Sequence, residues 1–160
     1  MSDQIIGLHH WFDSPAGRYV LGWEQARFDE AVADVFGYHS LQLGMPLLDG
    51  LRANRMPHRW LAQDEAPAPG AGPIPDLLSH AVALPFPDNS LDLVLLPHAL
   101  ELSHDPHTAL REVARVLVPE GRVVITGINP ASLWGLRQRR IRLYRRLSGG
   151  RGRSFLPDVN

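Results

Sequence analysis

The sequence predicts an α/β domain with a mostly parallel sheet. Helix-like and strand-like segments alternate along the chain. One strand-like run, Leu91 to Leu96, is apolar almost throughout, as a strand buried on both faces requires. The chain's 160 residues, 44% hydrophobic and 21% charged, suit one globular domain with a real core.

The first element is a helix over residues 15–36. Ser14 can cap it and Pro15 suits its first turn. Tyr19, Val20, Trp23, Ala31, Val32, Val35 and Phe36 give it an apolar stripe, and Gly37 fits the residue after its end. Trp23 is expected to pack on the core. Trp11, Phe12 and Tyr19 are expected either there or as a cover over the ligand cleft. Leu41 and Leu43 mark a short strand ending at Gly44, and Pro46 is expected to open a brief helix through Asn54. His58 to Ala62 reads as a second strand. Residues 64–76, "DEAPAPGAGPIPD", are too rich in proline and glycine for a helix and read as a loop.

Apolar sequence restarts at Leu77-Leu78, and Asp88-Asn89-Ser90 is turn chemistry before the Leu91 strand. Asp105-Pro106 is a second cap-and-proline pair, opening a helix with Leu110, Val113 and Leu117 that reaches Val118. "PEG" then turns the chain into the strand Arg122 to Thr126. Ser132 to Leu147 reads as a basic amphipathic helix, followed by a flexible tail. The single domain 1–160 thus divides into an N-terminal helical region (1–37), a sheet region (38–130) and a basic helix with tail (131–160). Ligands of such sheets bind beyond the carboxyl ends of the strands, which points to 44–48, 63–64, 79–82, 97–101 and 127–130.

Composition narrows the chemistry. There is no cysteine, hence no disulfide and no thiolate nucleophile or metal site. There is no lysine either, which excludes Schiff-base chemistry and a phosphate-loop lysine. Eight of the sixteen basic residues, all arginine, lie between Arg137 and Arg153, behind an acidic body. This segment could contact nucleic acid, but Tyr144 is its one aromatic residue for base stacking. No apolar run approaches the roughly 20 residues of a membrane span, and no signal peptide is visible, so a cytoplasmic protein is expected. His98, His104 and His107 do not follow a zinc spacing, and no metal is expected.

The stretch 81–137, "AVALPFPDNSLDLVLLPHALELSHDPHTALREVARVLVPEGRVVITGINPASLWGLR", is far more specific. It resembles the class I S-adenosylmethionine-dependent methyltransferases of the type 11 group. Within that group it is similar to a bacterial branch of methyltransferases whose glycine loop is degenerate. The resemblance implies a three-layer αβα Rossmann-like fold with S-adenosyl-L-methionine as cofactor and a small-molecule methyl acceptor. The family's C-terminal strand hairpin has no counterpart in the sequence, and an unpaired sheet edge would favour a homodimer.

Carried over by position, the resemblance implies these contacts. Gly44 is the first glycine of the cofactor loop, and Gln42 stands where the family has an acid for the cofactor's amino group. The next two glycine positions hold Pro46 and Leu48. After the second strand Gln63 or Asp64 is the ribose acceptor, and Asp64 is preferred. His80 replaces the adenine-contacting acid, with Ala81 beside it. Pro97 and His98 follow the fourth strand and face the transferable methyl, which makes His98 the candidate base. Two alternatives remain: the fold retained without cofactor as an interaction module, and an RNA-binding or RNA-modifying protein using the arginine segment.

Overall fold

The structure is a computed structural model that describes residues 11–127, apart from Ala71. The predicted basic helix, the arginine segment, the tail and the place of any terminal hairpin lie outside the described residues.

Helix α1 spans Pro15–Ala33. The Ser14 side chain accepts from the Gly17 amide at 3.0 Å, and Pro15 occupies the first turn. The helix ends earlier than its apolar pattern suggests. Asp34 caps it, and Gly37 instead makes room for a neighbouring strand, since a Cβ there would meet the Asp92 side chain at 2.4 Å. The Asp92 carboxylate accepts from the Tyr38 and His39 amides at 2.8 and 3.0 Å and so fixes the entry into β1, His39–Leu43.

The buried stripe of α1 also differs from the expected one. Glu24, Phe28 and Val32, four residues apart, face inward. Tyr19 and Trp23 are 76% and 56% exposed, and Phe36 is 77% exposed. Trp23 is therefore not a core residue. Aromatic bulk suggests one stripe, while spacing from Phe28 and Val32 selects another that includes a carboxylate.

Strands β2 (His58–Gln63), β3 (Leu77–Leu78), β4 (Leu91–Pro97) and β5 (Leu117–Thr126) join β1 in one sheet. The order is β3-β2-β1-β4-β5 and every neighbouring pair is parallel. The chain direction of sheet growth reverses between β1 and β4, so the switch-point crevice lies beyond Leu43 and Pro97. The segment after β1 forms turns, not the expected short helix. Successive Leu48→Met45, Arg52→Asp49 and Asn54→Leu51 backbone bonds close it. Pro46 lacks the amide that would continue a helix, and Gly50 resists one.

Two short helices follow β4: α2 (Ala99–Leu102) and α3 (Pro106–Val116). Asp105 caps α3 as expected. β5 begins directly at Leu117, earlier than Arg122, because "PEG" is absorbed as an irregularity in the β4–β5 pairing, with Glu120 in left-handed backbone at φ 68°.

Alternation along the strands divides the core. Leu41, Leu43, Ala62, Val94 and Leu96 pack with Val113 and Val116 of α3 and with Leu84. Leu93 and Leu95 point to the opposite face, where Asn54 ties the 44–56 segment to α1 by donating to the Val32 and Val35 carbonyls. Among the described residues, no helix is long and apolar enough to cross a membrane.

Candidate functional site

The crevice has two walls. The first is the segment after β1. Gly44 and Met45 both adopt left-handed backbone, φ 73° and 51°. Nothing lies within 4 Å of a Cβ placed on Gly44, so the space beside it is open to a ligand. The Gly44 amide itself donates to the Ala62 carbonyl at 2.8 Å. Gln42 is buried and fully engaged. Its amide nitrogen donates to the carbonyls of Gly44, Met45 and Leu48 at 3.1, 3.2 and 2.7 Å, and its oxygen accepts from the Gly50 amide at 2.9 Å. A carboxylate could not make the first three bonds, because it has no donor. Glutamine at this position therefore goes with a loop whose carbonyls turn inward. Leu48 is buried within the same loop. A cavity of about 500 Å³ opens beside it, lined by Gln42, Pro46, Leu48, Arg59, Leu61 and Ile74 among others.

Asp64 and His80 come together at the ends of β2 and β3. The His80 Nδ1 lies 3.7 Å from Asp64 Oδ1, and both side chains are well exposed. Ala81 follows in a segment braced from α3. Glu112 accepts from the Leu84 amide at 2.8 Å, and Arg115 donates to the Leu84 and Phe86 carbonyls and to Asp88. The hydrogen bonds to Glu112 and then Asp88, reinforced by their charges, raise the Arg115 pKa beyond its ordinary value against the opposing effect of burial. These two residues give the motif "REVARVL" a physical role: they hold the 81–86 segment in place.

The second wall is the end of β4. Pro97 is its last residue. His98 follows in left-handed backbone, φ 55°, and its amide donates to the Thr126 carbonyl at 3.0 Å. Its ring is buried, with Nε2 3.0 and 3.1 Å from the two carboxylate oxygens of Glu24 and Nδ1 3.4 Å from Glu101. The edge of Phe12 covers it, centroids 5.7 Å apart. Burial works to lower the His98 pKa. The hydrogen bonds to Glu101 and Glu24, reinforced by their charges, outweigh it and raise the value from 6.5 to about 9. Both ring nitrogens of His98 thus face carboxylates, which favours the charged form of the ring near neutral pH.

Glu24 is not among the candidates the sequence supplies, and Glu101 enters only as part of the 97–101 segment, further from the strand end than His98. The i, i+4 ladder from Val32 through Phe28 carries the signal for Glu24. Glu101 carries none beyond lying just after a strand. Adjacent residues of α1 reach both walls: Glu24 meets His98, while Gln25 exchanges bonds with the amide and carbonyl of Asp49 at 3.0 and 2.8 Å.

Among the described residues, two buried side-chain atoms have no hydrogen-bond partner, Gln63 Nε2 and Thr126 Oγ1. Each belongs to the last residue of its strand, at this same edge of the sheet.

Residues 57–125 match the family described as "Methyltransferase domain". The chain is 30% identical to Escherichia coli YafS over 134 residues, 84% of this chain and 54% of that protein. It is 35% identical to the demethylmenaquinone methyltransferase of Geobacillus kaustophilus over 78 residues, 49% of this chain and 33% of that one. The chain thus spans about half of the first relative and a third of the second. Among solved structures it is similar to a chain of the complex between the Haloferax volcanii Trm112 methyltransferase activator and a methyltransferase. There the TM-score is 0.55 and the identity 26%, covering 74% of this chain and 57% of that one. Strand order, matched segment and relatives together show that the chain carries the class I S-adenosylmethionine-dependent methyltransferase fold.

Proposed function

We propose that the protein transfers a methyl group from S-adenosylmethionine to a small-molecule acceptor. The observation that carries this reading is the convergence of Gly44, Asp64, His80 and the 97–101 segment on one edge of a sheet ordered β3-β2-β1-β4-β5. The matches to methyltransferases support it.

The residues fit the adenosine half of the cofactor best. Asp64 has the acceptor oxygens for ribose hydroxyls, and His80 and the Ala81 backbone stand beside it for the adenine. Gly44 lets the chain approach the methionine half, where the open space lies. Gln42 contributes indirectly, by shaping the loop with its four bonds. Pro97 places the 98–101 segment at the methyl side. Once bound, S-adenosylmethionine would supply a methyl activated by its sulfonium charge. The protein's share is alignment of the acceptor with that methyl, which by itself can supply much of the acceleration.

Calorimetric titration of the full chain with S-adenosylhomocysteine tests the reading. Saturable binding is expected, weakened about tenfold in Asp64→Ala, which removes a charge-assisted acceptor. Absence of binding to the unsubstituted protein would overturn the proposal.

A further inference from the structure

We propose that the outward face of α1 is a docking surface for a second copy of this chain, with the two helices antiparallel about a two-fold axis. The inference does not rest on the methyl-transfer reading.

The helix α1 buries Gly17, Glu24, Phe28 and Val32. At about 100° per residue, the side opposite that stripe carries Pro15, Ala16, Tyr19, Gly22, Trp23 and Ala26. All six are exposed and none is charged. A surface helix ordinarily turns charged and polar residues to this side. Here the phenol hydroxyl and the indole N–H are the polar side-chain groups of about three turns. Tyr19 and Trp23 stand one turn apart and are 76% and 56% exposed. The Arg27 guanidinium lies over the Trp23 ring, 5.7 Å from its centroid, and limits its freedom. Gly22, beside them, has open space: a Cβ there would meet nothing within 4 Å. Exposed tryptophan and tyrosine among small residues are the composition of an interface centre rather than of a solvated helix face.

Charge along the face selects the occupant. Arg18 borders its amino-terminal end and forms no ion pair among the described residues. Glu30 and Asp34 continue the stripe at its carboxyl-terminal end. Asp34 likewise forms no ion pair among the described residues, and Glu30 meets Arg27 at 3.0 Å in an exposed pair of small worth. The face is thus basic at one end and acidic at the other, so its complement is the same face reversed. A two-fold axis supplies that reversal, because each copy then meets the other running the opposite way. In the register that sets Gly22 opposite the partner's Ala26, Arg18 stands opposite the partner's Glu30, once on each side of the axis. The small pair lets the backbones approach, and the aromatic rings of each copy close over the other. The opposed helix dipoles favour the same arrangement. An anionic membrane fits less well, since Glu30 and Asp34 would face like charge. One helix face falls short of the roughly 800 Å² per partner of a standard interface, so association in the micromolar range is expected. The inner side of this helix holds Glu24 against His98 and Gln25 against Asp49, so a second copy braces the element that joins the two walls.

Sedimentation velocity of the full chain across the micromolar range tests this. A reversible shift from monomer to dimer is expected. Trp23→Glu sets two like charges near the axis and should weaken dimerisation about thirtyfold, the loss typical of a central tryptophan. Arg18→Glu and Glu30→Arg should each weaken it about fivefold, through lost pairs and new repulsion. The double variant Arg18→Glu with Glu30→Arg should return to within about twofold of the unsubstituted chain, which requires a partner presenting the same face. All three positions are exposed, so urea midpoints measured on the monomers should stay close to that of the unsubstituted chain and separate lost association from lost folding. A chain that stays monomeric throughout would overturn the inference. So would a dimer indifferent to Trp23→Glu, or a double variant no better than the single changes. Cosedimentation of monomer with phosphatidylglycerol vesicles, lost in Trp23→Glu, would assign the face to a lipid surface and overturn it as well.

Discussion

The two walls of the crevice meet the same requirement with different chemistry. Each turns through left-handed backbone, at Gly44-Met45 after β1 and at His98 after β4. Each is fixed by one buried polar side chain with several partners. Gln42 is neutral, and its bonds run to residues two to eight positions away. His98 is charged and reaches Glu24, 74 positions away on α1. An amide serves donors and acceptors at once without desolvating a charge, so it suits a local knot. An ion pair joins distant elements but must offset a desolvation cost, and it makes its wall dependent on pH. The difference predicts that the walls fail under different conditions.

The largest effect should come from breaking the charged wall. His98→Leu leaves Glu24 buried without its cation, which should cost about 3–5 kcal/mol in urea unfolding near neutral pH. Adding Glu24→Leu should recover part of that loss, because the uncompensated charge goes with it. The same wall sets a pH dependence. The folded pKa of His98, about 9, lies above its ordinary 6.5. Its contribution is fully present below 6.5 and is lost as pH rises through 9, worth about 3 kcal/mol at most. Stability of the unsubstituted protein should therefore fall between pH 6.5 and 9. His98→Leu should flatten that stretch, and a profile equally steep in the variant would contradict the assignment.

Breaking the neutral wall should cost less and carry no such slope. Gln42→Leu strands three carbonyls and the Gly50 amide, for a loss of about 2–4 kcal/mol after partial relaxation. Gln42→Glu keeps the acceptor for Gly50 but sets a carboxylate against those carbonyls. It should be as destabilising as the leucine change at neutral pH and recover as the carboxyl protonates in acid. Urea unfolding at two pH values separates these outcomes. A Gln42→Glu protein as stable as the original would mean that the loop can turn its amides inward, as the family's acid would require.

Much of the frame is legible in the sequence, because it rests on local rules. Ser14-Pro15 and Asp105-Pro106 mark helix starts by capping chemistry alone. The apolar run from Leu91 marks the central strand by burial on both faces. Elements that depend on tertiary contacts are less legible. The 46–54 segment has a proline suited to opening a helix, yet Gln42 from the neighbouring strand satisfies its carbonyls in turn geometry. The true stripe of α1 is masked because aromatic residues dominate a hydrophobicity pattern even when they point outward. The ladder through Phe28 and Val32 puts Glu24 on the buried face, but its partner, a histidine 74 positions away, follows only from the fold. At the site, strand ends tell which segments to inspect. The placement of Asp64 near His80 needs the sheet order, and the charge state of His98 needs both of its neighbours.

The smallest effect sharpens the comparison most, because it acts on one wall from a distance. Ser14 accepts from the Gly17 amide, and its hydroxyl donates to the Trp11 carbonyl at 2.6 Å. It thereby caps α1 and also closes the turn that sets Phe12 against the His98 ring. Ser14→Ala should cost about 1 kcal/mol, the usual loss of such a cap. Its second consequence is local. With Phe12 less firmly placed, water gains access to the His98–Glu24 pair, and screening weakens their attraction. The ring N–H protons of His98 should then exchange with water faster than in the unsubstituted protein, while amide exchange in the 44–50 loop stays unchanged. Equal loosening of both walls would mean that α1 couples them through Glu24 and Gln25 as a single unit, and the charged and neutral knots would no longer be independent.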